Sequence, residues 1–312
     1  MPDTTSDTEL LHAGDIVTQA LANPMKCPLV RSFFDPATFT ISHVVRDPSS
    51  HACAIIDSVL DYDPASGRTM NTSAQDLINY IKSESLEVQW LLETHAHADH
   101  LSAAPLLQAE LGGQLAIGRE IIRVQEVFGK IFNAGTEFQR DGSQFDHLFL
   151  DGDRFKIGNL DATRPACTWP HTGLPGLCRR RRCLSGRHAL HAGLRHGAMR
   201  LSRRRCPHPV SLDQETDPAA RSGTDVSVPR LQGAGPRRLR LGNHGRAERT
   251  SNVHVHDGVT EDEFVTMRNA RDATLGMPRL ILPSVQVNMR AGQLPPADDN
   301  GIQYLKIPVN AL

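Results

Sequence analysis

Up to about Leu160 the chain alternates apolar and polar positions in a regular order. Thr38 to Val45 and Ala52 to Val59 carry the alternating, β-branched pattern of strands, and Asp47-Pro48-Ser49-Ser50 between them predicts the turn of a hairpin. Asp61-Tyr62-Asp63-Pro64-Ala65-Ser66-Gly67 predicts a loop, after which Ser73 caps a helix whose apolar positions Leu77, Ile78 and Ile81 recur at helical spacing. Trp90-Leu91-Leu92 predicts a further strand, Ser102 to Leu111 a helix ended by Gly112-Gly113, and Leu115-Ala116-Ile117 another strand. This alternation of strand and helix predicts an α/β layer. Beyond Thr250 the ordinary pattern returns. Thr260-Glu261-Asp262-Glu263 is a capping box ahead of a helix through Ala270. Pro278 and Pro283 flank Arg279-Leu280-Ile281-Leu282, and Tyr304-Leu305-Lys306-Ile307-Pro308-Val309 predicts a short edge strand.

Between Asp161 and Thr250 the pattern fails. This stretch holds eighteen Arg, no Lys and six acidic residues, a net +12 that the remainder balances with −13 to give the overall −1. It has no Ile, Phe or Tyr, and Trp169 is its one aromatic residue, too little for strands or a core. Arg179-Arg180-Arg181-Arg182 and Arg203-Arg204-Arg205 carry the charge of a nucleic-acid footprint without aromatic interleaving, so no nucleic-acid partner is expected. Cys178, Cys183, His188 and His191 match no common zinc spacing.

Size and composition narrow the remaining classes. At 312 residues with 39% apolar content the chain can hold one large α/β domain or two smaller ones. No stretch approaches the ~20 apolar residues of a membrane-spanning helix. The acidic start Met1-Pro2-Asp3-Thr4-Thr5-Ser6-Asp7 lacks signal character, which predicts a soluble cytoplasmic protein with no membrane partner. Of six cysteines only Cys27 and Cys53 lie outside residues 163–249, which argues against a disulfide framework and reads these two as buried thiols.

Candidate chemistry concentrates in Thr94-His95-Ala96-His97-Ala98-Asp99-His100, three imidazoles and a carboxylate directly after an apolar run. Side chains at i and i+2 of an extended segment point the same way, so His95 and His97 can grip one ion, while Asp99 and His100, in the turn beyond, face a neighbouring position. His43 and His51, at strand ends, read as hydrogen-bonded or surface residues, and His254 and His256, before the Asp257-Gly258 turn, as parts of a solvated loop.

The run His-x-His-x-Asp-His resembles the signature of the metallo-β-lactamase superfamily. Leu92-Glu93-Thr94-His95-Ala96-His97-Ala98-Asp99-His100-Leu101-Ser102-Ala103-Ala104, the strand end at Asp57 and the closing Tyr304-Leu305-Lys306-Ile307-Pro308 are similar to its persulfide dioxygenase branch, close to hydroxyacylglutathione hydrolases. The resemblance covers roughly residues 25–162 and 250–312. It implies an αββα sandwich with the metal at the open edge between two sheets, each supplied by one half of the chain. The leading expectation is a dioxygenase that oxidises glutathione persulfide to sulfite on one Fe(II), held by the first motif histidine, His95, with a distant His and a distant Asp. The alternative is a thioester hydrolase with two Zn(II) or iron ions, His95 and His97 on one and Asp99 and His100 on the other, where hydroxide of lowered pKa attacks the carbonyl. Asp99 is the catalytic candidate, or else the carboxylate that fixes a ligand histidine. Both activities imply a glutathione-derived small molecule as substrate, for whose carboxylate Arg290 is a candidate partner, with a surface role equally open. A homo-oligomer also stays open.

The genetic code bears on the middle segment. Permitted codons for Thr163 to Cys178, read one nucleotide downstream, give Arg-Val-Leu-His-Ala-Pro-Gly-His-Thr-Pro-Ala-Cys-Leu-Val-Tyr-Val, a strand followed by a His-containing turn. In the same frame Gly186 to Leu194 admits Gly-Asp-Thr-Leu-Phe-Met-Pro-Asp, Val228 to Gln232 admits Cys-His-Asp-Tyr, and Gly242 onward admits Glu-Thr-Thr-Val-Ala. These hidden peptides resemble the family's third metal-binding His, its Gly-Asp bridging or terminal carboxylate and its last His, in order. The expected organisation is therefore 1–162 as the first half of the domain, 163–249 as a frame-shifted segment, and 250–312 as the C-terminal part of the same domain. The second half of the sandwich is then disrupted, and an inactive relic is a third functional class. His171 lies near the hidden family His but lacks the Pro-Gly turn to aim it.

Overall fold

The computed structural model describes residues 23–164 and 277–311, together with residues 260, 263, 266, 267 and 270. The N-terminal stretch, the Arg-rich segment beyond Arg164, and His171, Cys178, Cys183, His188, His191, His254 and His256 lie outside the described residues.

Three antiparallel strands open the fold: β1 (Leu29–Asp35), β2 (Thr40–Arg46) and β3 (Ala52–Ile56). All five positions of β3 are buried, as in a strand covered on both faces. To β3 are added, in parallel, β6 (Glu87–Leu92), β8 (Gln114–Gly118) and β9 (His147–Phe149), giving the order β1-β2-β3-β6-β8-β9. Parallel pairing needs crossovers. They contain α1 (Thr72–Ser83), α2 (Ala104–Leu111) and α3 (Ile121–Ile131) in turn. Leu77, Ile78 and Ile81 of α1, Leu107 of α2 and Ile121 of α3 pack against Val44, Ile55, Leu91, Leu115 and Ile117 of the sheet.

Alternate residues, Val45, Ala54, Ile56, Leu92 and Ala116, point to the opposite face. There they meet Phe155, Ile157, Leu160 and Ala162 of the hairpin β10 (Arg154–Ile157) and β11 (Leu160–Thr163). The first sheet therefore has an apolar partner on this face already within the first half of the chain.

Several boundaries differ from the sequence pattern. Asp61 to Asp63 is not loop but the end of β4 (Val59–Asp63), which pairs with β5 (Arg68–Met70) and with β7 (Leu101–Ser102). Only the tip turns, where Asp63 accepts bonds from Ala65 N (3.0 Å) and Ser66 Oγ (2.6 Å). Ser73 does not cap α1. It lies within the first turn and donates from N and Oγ to Asp61 (2.9 and 2.7 Å), so a carboxylate from β4 serves the helix N-terminus. Ser102 belongs to β7 rather than α2. The predicted capping box is present: Thr260 N donates to Glu263 Oε2 (2.9 Å) and Glu263 N to Thr260 Oγ1 (3.3 Å).

Near the C-terminus Ile281–Asn288 forms α4, with Pro283 tolerated in its first turn. The predicted edge strand at 304–309 does not form. Lys306 instead bonds through its backbone to the Gln286 side chain on α4, which satisfies the segment without a strand partner. Cys53 is a buried free thiol, as expected, whereas Cys27 is disulfide-bonded. No helix among the described residues is long and apolar enough to cross a membrane.

Candidate metal centre

The centre is built at the ends of β3 and β6. Asp57, directly after β3, has φ +52°, a left-handed conformation that Asp tolerates better than most residues. The turn aims its carboxylate at the loop leaving β6, where Thr94 donates from N to Oδ1 (2.7 Å) and from Oγ1 to Oδ2 (2.8 Å). Since the Thr94 hydroxyl proton is committed to Asp57, its oxygen accepts from His95 Nδ1 at 2.8 Å. That bond makes Nδ1 the protonated nitrogen and leaves Nε2 as the acceptor atom of the ring.

Strand β6 ends at Leu92, and residues 94–100 bend instead of continuing extended. The segment is thus not extended as the sequence pattern predicts, although His95 and His97 still lie side by side. The imidazole rings of His95 and His97 stand 3.9 Å apart and those of His97 and His100 4.1 Å apart. Ligand atoms of His97, Asp99 and His100 lie within 4.8 Å of one another. Asp99 Oδ1 is 3.6 Å from His97 Nδ1 and 3.3 Å from His100 Nδ1. The His97 and His100 side chains are 3% and 0% exposed, while Asp99, at 23%, opens to the outside.

A second cluster, Asp57, Glu93 and His97, adjoins the first through the shared histidine. His97 Nε2 is 2.8 Å from Asp57 Oδ1 and 3.6 Å from Glu93 Oε2. The short approach to Asp57 is a buried ion-pair contact. Neither nitrogen of His97, nor Nε2 of His100, has an aligned hydrogen-bond partner. Buried polar atoms are ordinarily satisfied, and a neutral imidazole carries an electron pair on one nitrogen, so His97 and His100 can each offer one nitrogen to a group that accepts it. A divalent metal is such a group, and the His/Asp donor set suits one.

The electrostatics agree. Burial alone would lower the His97 pKa, but Asp57, Asp99 and Glu93 outweigh it and push it up to about 10. Burial also opposes the charge of Asp57, yet His97 and the Thr94 donors hold its carboxyl below the ordinary range. Glu93 is raised, first by burial and then by Asp57 beside it. His100 is lowered by burial and by His97. Three acidic side chains around one imidazole thus make a pocket that favours positive charge, whether a proton or a metal dication.

Glu93 and Asn288 were not visible as site residues in sequence. Glu93 had a signal, since it stands between the strand and the motif and holds Ser102 Oγ at 2.6 Å. Asn288 had none: from α4 it bonds Ser102 N, His97 O and His100 O. Outside the centre, His43 Nδ1 pairs with Ser32 Oγ at 2.9 Å, and His51 is exposed. Arg290 stacks on Phe138, with Cζ 4.3 Å from the ring centroid, and its Nη2 lies 3.6 Å from Glu137, so its guanidinium is engaged within the fold.

The chain is 46% identical over 301 residues to a probable metallo-hydrolase of Burkholderia pseudomallei, across 91% of this chain and 99% of that one. It is 40% identical over 279 residues to glyoxylase B2 of Dictyostelium discoideum, across 86% and 92%. Similarity to the mitochondrial persulfide dioxygenase of Homo sapiens is 26% over 132 residues, across 42% and 40%. The crystal structure of ETHE1 from Myxococcus xanthus aligns with a TM-score of 0.45 at 17% identity, across 85% and 99%. A family model for the metallo-beta-lactamase superfamily matches residues 41–260. With a matched span of this extent and relatives similar along nearly their whole length, the chain belongs to the metallo-β-lactamase superfamily.

Proposed function

We propose that this chain is a metallo-hydrolase whose substrate is a thioester of glutathione or a similar small thiol. The observation that carries the reading is the cluster of buried His97 and His100 with partly exposed Asp99, whose ligand atoms lie within 4.8 Å of one another. His95, whose ring stands 3.9 Å from that of His97, is a fourth candidate ligand. A metal held there supplies Lewis acidity toward a carbonyl oxygen and nucleophilic water at neutral pH. The protein contributes the rest. Asp57 fixes the loop through Thr94, Asp57 and Glu93 flank His97 and favour a cation beside it, and the partly exposed Asp99 is a candidate to ligate or to take a proton from water.

The hydrolase reading stands ahead of the dioxygenase one. Similarity to the probable metallo-hydrolase and to glyoxylase B2 runs along most of the chain, whereas similarity to the persulfide dioxygenase is confined to 132 residues. The experiment is a paired assay on the metal-loaded full chain. Thioester absorbance of a glutathione thioester should fall with turnover, while oxygen uptake with glutathione persulfide should stay at background. Oxygen uptake without thioester loss would reverse the order, and activity in neither assay would favour the relic.

A further inference from the structure

We propose that Asn288 is a positioning residue for the metal centre, setting the spacing of His97 and His100 from outside the motif. This rests on the metal reading above. Asn288 is the last residue of α4 and 5% exposed. Its Oδ1 accepts from Ser102 N at 2.8 Å, and its Nδ2 donates to His97 O at 2.9 Å and to His100 O at 2.8 Å. A primary amide has two N–H donors, and here each is directed to the carbonyl of a candidate ligand residue. The loop between them bends outside any strand, so these two carbonyls are drawn to one nitrogen instead of being spaced by a ladder.

The third bond extends the hold. Ser102, fixed through its amide by Asn288, donates from Oγ to Glu93 Oε1 at 2.6 Å, and Glu93 Oε2 lies 3.6 Å from His97 Nε2. One side chain on α4 therefore reaches His97 by two routes, through its backbone carbonyl and through the Ser102–Glu93 pair. Asn288 and His97 are 191 positions apart, so the link joins the two ends of the chain across its Arg-rich middle.

Gln286, on the same helix, provides a matched control. It too is buried and makes three amide bonds, to Leu282 O, Lys306 O and Lys306 N, none of which reaches the loop. The test measures Zn(II) affinity by competition with a chromophoric chelator, and metal-free melting by circular dichroism, on the full chain. Wild type is compared with Asn288→Ala, Asn288→Asp and Gln286→Ala. Groups that orient metal ligands typically change affinity by about 10- to 100-fold, and that loss is expected in both Asn288 variants. Gln286→Ala should lower the melting temperature and bind zinc as wild type does. If Asn288→Ala does not fold, Asn288→Asp decides, because it keeps the side-chain volume and the acceptor for Ser102 N while removing both donors. Wild-type affinity in the Asn288 variants, or an equal loss in Gln286→Ala, overturns the positioning role alone. A wild-type chain that binds no zinc overturns the metal centre itself.

Discussion

Asp57 shows how one backbone angle is tied to the chemistry. A residue at φ +52° persists where its surroundings over-determine it, and here Thr94 and His97 do so by holding both carboxylate oxygens. Breaking a buried charge pair by removing one partner costs about 3–5 kcal/mol. Asp57→Ala should therefore lose stability of that order in denaturant melting, whereas Asp57→Asn, which tolerates the same backbone angle, should lose less. Equal, small losses in both would mean that His97 does not depend on this carboxylate. At this scale the sequence was legible where chemistry is local: four donors within six residues need no fold to be noticed. Asn288 was not, because an isolated Asn acquires its role only when α4 comes against the loop.

Elements were legible wherever periodicity decided them and misplaced where a side chain from elsewhere took over. The β2–β3 hairpin and α1 follow from alternation and from Leu77, Ile78 and Ile81. The start of α1 was misassigned because its partner, Asp61, is twelve residues away. The turn between β2 and β3 is held by Asp47, which is 0% exposed and accepts from Ser49 N, Ser49 Oγ, Ser50 Oγ and Asn159 N at 2.7–2.9 Å. That last bond ties the hairpin to the β10–β11 turn. There Gly158, at φ +58°, has no room for a Cβ, which would lie 2.5 Å from Asp47 Oδ2.

Burial alone would raise the Asp47 pKa, but these donors outweigh it and depress the carboxyl well below its ordinary 3.8. Its stabilisation is thus fully present above that value and is lost as pH falls below it toward the depressed carboxyl. Asp47→Ala, which leaves several buried donors unpaired, should cost about 2–3 kcal/mol near neutral pH. It should also flatten the acid limb of a stability profile. An unchanged acid limb would show that Asp47 is not the group that titrates.

The whole molecule joins a well-patterned first half to a short C-terminal part, which meet at the centre through α4. The α/β layer was legible because crossover helices and parallel strands carry different periods. We propose from the codons alone that residues 163–249 are read in a displaced frame, and this carries its own prediction. Sequencing the coding DNA should reveal two compensating shifts, and the chain with the frame restored should melt at higher temperature, because it regains apolar segments for a second sheet. Intact coding DNA in the printed frame would remove that proposal and leave the first-half centre untouched.

The central claim is that the loop after β6 holds a metal ion through His97, Asp99 and His100. Metal analysis after equilibrium dialysis against zinc tests it most directly, on the wild-type 312-residue chain beside His97→Ala and His100→Ala. Wild type should retain the metal and both variants should lose it while still folding, with His97→Ala melting lower because it leaves Asp57 buried without its partner. Equal retention by all three chains, or none by wild type, would contradict it.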